Sequence, residues 1–172
     1  MGRRPKYSRA SIEAAARNLI AERGVQAATI GAIAAELGAP TGSIYHRYRT
    51  RELLLAELWL GVVEEFQTGL LAELNRDDPL EAAVAAAQFV PRWVRSHLAE
   101  ARLLLVHHRR DFVSGGWPEE VVERAGQLEP QLTAALRRFC RRHFGNLRKA
   151  SLQRARFALL DAQTVQAAGS PC

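Results

Sequence analysis

Apolar residues recur at helical spacing along nearly the whole chain, and no stretch sustains the two-residue alternation of a half-buried strand. Between Arg9 and Arg23, Ile12, Ala15, Ala16, Leu19 and Ile20 fall on one helix face. Ser8 is placed to cap the start of that helix and Gly24 to take a left-handed conformation past its end. Thr29 caps a second segment, Ile30–Leu37, which breaks at Gly38-Ala39-Pro40, and a third short helix spans about 41–48. Thr50 then caps a long helix in which Leu54, Leu58, Val62, Phe66, Leu70 and Leu74 recur every fourth residue. A row spaced by four winds slowly around its helix, so this element can meet different neighbours at its two ends and is expected to join two domains.

Asn75–Asp78 reads as a turn, with Asp78 as cap and Pro79 at the first helical position, where a missing N–H costs nothing. The helix that follows runs to about His97 and is expected to kink at Pro91. Another spans roughly 100–113 and stops at Ser114-Gly115-Gly116. Pro118 opens the next, expected to be interrupted at Pro130 and to stop at Gly145, and a last helix covers about 147–168. The expectation is an all-α protein: a three-helix N-terminal domain over 1–50 and a helical body over 51–172.

Composition narrows the class. With 172 residues, 48% hydrophobic and 24% charged, the chain can bury a core without staples and is read as a globular protein. The most apolar run, Leu53–Val63, is interrupted by Glu57 and followed by Glu64 and Glu65, so no membrane partner is expected. Glu13, Arg17 and Glu22 break the segment that an export signal after Arg3-Arg4 would need, and Lys6 stands where myristoylation needs Ser or Thr. Cys140 and Cys172 have neither ligand spacing nor a disulfide framework, and a reduced cytoplasmic location is expected. The formal charge of +6 is unevenly placed. Arg3, Arg4, Lys6, Arg9, Arg17, Arg23, Arg47, Arg49 and Arg51 meet only Glu13, Glu22 and Glu36, while the rest of the chain is balanced. A basic head on a neutral body is the charge pattern of a polyanion-binding module on a separate regulatory or assembly domain.

The stretch Thr29–Tyr48 decides what the head is. Two short helices that cross steeply need a small residue at the crossing, a turn residue tolerant of positive φ and a branched apolar residue facing back. Ala34, Gly38 and Ile44 supply these at the right offsets, and Ile33 and Leu37 complete the buried face. The second helix then exposes Thr41, Gly42, Ser43, Tyr45, His46 and Arg47, donors suited to base edges and phosphates in a major groove. The expected partner is double-stranded DNA.

These residues also carry a resemblance. The runs Ile12-Glu13-Ala14-Ala15, Thr29-Ile30-Gly31-Ala32-Ile33-Ala34 and Gly42-Ser43-Ile44-Tyr45-His46-Arg47-Tyr48-Arg49-Thr50-Arg51-Glu52-Leu53-Leu54 resemble the N-terminal domain of the TetR family of transcriptional repressors. The likeness covers residues 8 to about 60, and over the body it is architectural only. It implies a homodimer that binds a palindromic operator and releases it when a small molecule fills the body. It implies further that Thr29 anchors on a phosphate, that Pro40, Thr41, Gly42, Ser43, Tyr45 and His46 form the recognition surface, and that Arg51 takes another phosphate. Arg47 and Tyr48 stand where His and Phe are common in the family, and the chain is expected to end about one helix early.

The resemblance places the dimer on the last two long helices, where Leu132, Leu136, Phe139 and Cys140 form one stripe and Leu152, Ala155, Leu159 and Ala162 another. Equally, both stripes can face the same chain's core. Paired half-sites about 34–36 Å apart favour two-fold symmetry. Trp59, Phe66, Phe89, Trp93, His97, His107, Phe112 and Trp117 are the candidate lining of a pocket for an apolar or aromatic effector, with plain core as the alternative. The cluster Arg137, Arg138, Arg141, Arg142, Arg148 and Lys149 reads first as a solvated helix face rather than a second DNA site. No cofactor, metal or catalytic site is expected: His107 and His108 diverge on a helix, and no nucleophile elbow or phosphate loop occurs. A sequence-independent architectural DNA binder is the main rival reading, and a helical enzyme the remoter one.

Overall fold

Helix starts carry the caps that the sequence offers. Ser8 closes a capping box with Ser11, Thr29 accepts from the Ala32 amide at 3.1 Å, Thr50 from Leu53 at 3.0 Å, and Asp78 from both Leu80 and Glu81 at 2.8 Å. The computed structural model describes residues 7–106 and 118–161. Among them are eight α-helices and no strand: α1 (Arg9–Arg23), α2 (Ile30–Leu37), α3 (Thr41–Tyr45), α4 (Arg51–Leu74), α5 (Pro79–Ser96), α6 (Leu98–Val106), α7 (Glu119–Phe144) and α8 (Lys149–Arg156). A 3-10 turn, Val25–Ala27, follows α1, and a π turn, Phe157–Asp161, follows α8.

Two compact units form among the described residues. One is drawn from the described residues of 1–61 and 102–122, the other from those of 62–101 and 123–172. The division falls inside α4, not at its start, because the first two turns of that helix belong to the head's core: Leu54, Leu55 and Leu58 are as buried as Ile12, Ile33 and Ile44. The second half of α4 gives Leu70 and Leu74 to a different cluster, where they meet Ala82 and Ala86 of α5, Leu136 and Phe139 of α7, Ala155 of α8 and Leu159. One row spaced by four therefore serves two cores.

Three expectations about helix limits change. Hydrogen bonds continue past α3, from His46 to Gly42 and Tyr48 to Ile44, but Arg47 bonds three residues back to Ile44, so the helix tightens and ends early. Pro130 does not interrupt α7, which runs continuously from Glu119 to Phe144 with the proline exposed. Beside it the buried Gln67 donates to the Leu128 carbonyl at 2.7 Å. The last helix gives way to a π turn at Phe157 that packs against α5, and its expected continuation to 168 lies outside the described residues, as does the expected stretch 107–113 after α6. Gly24 has φ 81° and ψ 168°, an extended positive-φ conformation that is even more restricted to glycine than the expected left-handed one.

Candidate nucleic-acid interface

α3 is held from beneath and open above. Gly38 takes the left-handed conformation, φ 59° and ψ 36°, and its amide returns to the Ala34 and Ala35 carbonyls, which ends α2 and lets the chain turn back at once. Ala34 is buried where α2 faces the turn, Ile44 is wholly buried from α3, and Tyr48 is wholly buried just beyond it. With Ile44 inward, helical geometry turns the other positions out: Thr41, Gly42, Tyr45 and His46 are exposed, Tyr45 by 52%, and Ser43 is half-buried. An exposed tyrosine on a five-residue helix contributes little to its own fold. Pro40, directly before α3, is exposed too.

The two residues expected to touch phosphate are placed differently. Thr29 is exposed, and because its oxygen accepts from Ala32 its hydroxyl proton is left to donate. Arg51 instead turns to its own fold: Nε donates to the Ala28 carbonyl at 2.8 Å and Nη2 to the Val25 carbonyl at 2.7 Å. This half-buried guanidinium ties the start of α4 to the turn that launches α2, a bracing geometry rather than a cation held out to solvent. Arg51→Ala should therefore lower unfolding free energy by about 1.5–3 kcal/mol, the range for hydrogen bonds to a charged group. A denaturation midpoint equal to that of the parent chain would return Arg51 to phosphate binding alone.

Three interactions that the sequence did not announce steady the back of α3. The Tyr48 hydroxyl donates to the Glu13 carboxylate of α1, Arg9 lies 5.2 Å from the centre of the Tyr48 ring and reaches the Arg47 carbonyl, and the Tyr7 hydroxyl donates to the Gly38 carbonyl at 2.9 Å. Burial first, and then the bond to Glu13, push the Tyr48 phenol well above the ordinary value of 10.0. A raised pKa means that the folded head keeps this proton where the unfolded chain loses it, so the stabilisation is whole below pH 10 and is lost as pH rises above it. Alkaline unfolding of the parent chain should begin there, and Tyr48→Phe should remove that part of the slope; an identical alkaline limb in the variant would refute the assignment.

Beside α3 a cleft of about 290 Å³ is lined by Arg9, His46, Arg47, Arg49, Leu53, Glu57 and Glu120, and Arg49 pairs with Glu120 at 3.8 Å. The cation-rich edge thus continues past α3 into the turn before α4. Among the described residues no three His, Cys, Asp or Glu side chains gather as a metal site, and no helix is long and apolar enough to cross a membrane.

Residues 12–58, which contain this whole arrangement, match the family model of bacterial regulatory proteins of the tetR family. That segment is similar to the N-terminal domain of the family. Within it, α2 and α3 form the helix-turn-helix. No curated protein matches the sequence. Its fold is similar to that of a transcriptional regulator from Rhodococcus sp. Rha1 at 22% identity and TM-score 0.70, covering 96% of this chain and 86% of that one. A protein from Shewanella sp. PV-4 assigned to the tetR family of transcription regulators is similar at 20% identity and TM-score 0.68, covering 96% and 85%. A third, from Vibrio parahaemolyticus and also assigned to the TetR family, is similar at 23% and TM-score 0.57, covering 95% and 96%. At such identities the likeness is one of fold.

In the second unit, part of the expected effector lining comes together. Phe66 of α4 meets Phe89 at 5.5 Å and Trp93 at 5.0 Å, and Trp93 stacks on His97 at 4.9 Å. Gly69 makes room for Phe89, whose ring lies where a Cβ would stand. His97 closes α5, with Nδ1 3.1 Å from the Trp93 carbonyl and Nε2 3.5 Å from Glu65, a residue the periodicity gave no reason to select. Trp59 is half-buried in the other unit, and His107, Phe112 and Trp117 lie outside the described residues. Of the stripes expected at a dimer interface, Leu136, Phe139 and Leu159 are buried within the single chain, with Leu132 and Leu152 packed against the same cluster. They hold α7 and α8 onto α4 and α5. Cys140, in that cluster, sits 3.7 Å from the Ser151 carbonyl, and burial pushes its thiol pKa up.

Proposed function

We propose that the chain is a ligand-responsive repressor that binds a palindromic operator as a homodimer. The observation that carries this reading is the division of the α3 region between core and solvent, with Ile44 and Tyr48 buried and Thr41, Gly42, Tyr45 and His46 exposed. An exposed face of this size and polarity suits a groove-sized partner. In this reading Thr41, Ser43, Tyr45 and His46 read base edges, while Gly42, which has no side chain, lets the backbone approach closely. Pro40 and Arg47 flank the reading surface, Thr29 takes a phosphate, and Arg51 supports that grip from behind by holding the 25–28 turn. One recognition helix touches too few base pairs for specificity, which favours two protomers on half-sites about 34–36 Å apart.

The effector site of this reading is the Phe66, Phe89 and Trp93 group with the His97–Glu65 pair at its polar end, which suits an aromatic ligand bearing a hydrogen-bonding group. Such a ligand acts by favouring one arrangement of the two heads over another. The deciding experiment is selection of genomic fragments by the purified protein in the cytoplasmic salt range. A shared inverted repeat with half-sites about one helical turn apart supports the proposal. Enrichment without a common sequence would favour the architectural binder instead.

A further inference from the structure

An acid from far along the chain stands at the cation-rich edge of the head. In the cleft beside α3, Arg9, His46, Arg47 and Arg49 belong to the N-terminal segment, but Glu120 comes from the first turn of α7 and approaches Arg49 at 3.8 Å. That turn is seated. Val121 next to it is wholly buried, its amide donates to the Pro118 carbonyl at 3.0 Å, and the start of α7 belongs to the same compact unit as α1, α2 and α3.

As a brace the ion pair does little. The Arg49 side chain is 86% exposed and that of Glu120 50%, and pairs so open to water contribute little to folding. Its position matters more. Arg9 lies over the Tyr48 ring and Arg51 braces the 25–28 turn, whereas Arg49 is exposed in the turn before α4, with Glu120 as its ionic partner among the described residues. It shares its cleft with His46, which is part of the exposed α3 surface. A cation placed there suits a phosphate oxygen, and a carboxylate held against it carries the same charge as the phosphate and repels the duplex.

We infer that the first turn of α7 is an autoinhibitory contact: Glu120 occupies Arg49 and holds it back from the DNA backbone, so the head grips duplex DNA harder when this turn withdraws. The inference rests on the proposed DNA-facing role of the α3 edge. Glu120 is a rigid part of α7, which runs unbroken to Phe144, and further along the same helix Arg124 grips the Glu64 carboxylate through Nε at 3.1 Å and Nη2 at 2.7 Å. Whatever displaces α7 therefore displaces the acid, and with it the strength of backbone binding.

The test uses the full chain and a random duplex, with affinity followed across salt by fluorescence anisotropy. Glu120→Gln keeps the size of the side chain and removes its charge. It should tighten binding at low salt by about three- to tenfold. It should also steepen the log–log salt slope by about 0.9, the contribution of one newly neutralised phosphate. Arg49→Gln should cost little in the parent, where Glu120 already occupies the guanidinium, and should cancel the gain in the Glu120→Gln background. Glu119→Gln removes the same charge from the same turn but from outside the cleft, and should change affinity by less than about twofold. All three side chains are exposed, so the denaturation midpoint should not move and the affinities compare folded protein. Parent-like affinity and slope in Glu120→Gln would overturn the inference. So would a gain that persists with Arg49→Gln or is matched by Glu119→Gln, since either would report overall charge alone. A parent chain that ignores the duplex at low salt would overturn the DNA-binding reading and this contact with it, while every other adverse result leaves that reading intact.

Discussion

Tyr45→Ala should reduce affinity for the selected operator by about 30- to 150-fold, the 2–3 kcal/mol expected when an exposed anchor is removed from the centre of an interface. The size follows from what Tyr45 does not do at home. It is 52% exposed on α3, while Ile44 next to it is wholly buried and carries the packing of that helix. Truncation therefore leaves the helical content and the denaturation midpoint of the head in place, and the loss appears in binding. Random duplex should be bound nearly as before, because the DNA backbone is held by other residues. Titration of parent and variant against operator and random duplex reads both numbers. Equal operator affinity would remove Tyr45 from the reading surface, and a parallel loss on both duplexes would make it a phosphate ligand instead.

Tyr48→Ala should have the opposite profile, with stability lost first and DNA binding lost as its consequence. Tyr48 is wholly buried, its hydroxyl holds Glu13 of α1, and Arg9 lies over its ring. Cutting a buried aromatic to alanine costs about 3–5 kcal/mol through lost transfer energy and the cavity left behind. That is a large share of the about 5–15 kcal/mol by which a domain is stable. Chemical denaturation followed by helicity gives the figure. A loss below about 1 kcal/mol would mean that the head does not depend on this ring. Tyr48→Phe separates the two roles: it keeps most of the packing and leaves the Glu13 carboxylate without its donor, at about 1–3 kcal/mol. Two tyrosines three residues apart thus answer to different measurements, one to binding and the other to unfolding.

Much of this protein could be read directly from its order of residues. Helix starts were legible because Ser8, Thr29, Thr50 and Asp78 cap through bonds to amides two or three residues ahead, a strictly local chemistry. The head was legible because a helix-turn-helix is also local: Ala34, Gly38 and Ile44 meet within one short segment, and their spacing dictates which side chains of α3 must point away.

Other features needed the third dimension. That Arg51 braces the 25–28 turn depends on chain brought back from two helices earlier, and no local pattern separates a guanidinium aimed at carbonyls from one aimed at phosphate. The apolar stripes of α7 and α8 have the same periodicity whether they cover α4 and α5 or a second copy. Only the assembled core shows Leu136, Phe139 and Leu159 packed with Leu70 and Ala86. The Glu13–Tyr48 bond and the Glu65–His97 pair join residues far apart in sequence, so periodicity is blind to them. By itself, then, the sequence determined what each segment becomes, since caps, turns and helical faces are set by neighbours along the chain. The tertiary structure alone decided which partner each face meets, because burial and long-range hydrogen bonds are properties of the assembled core.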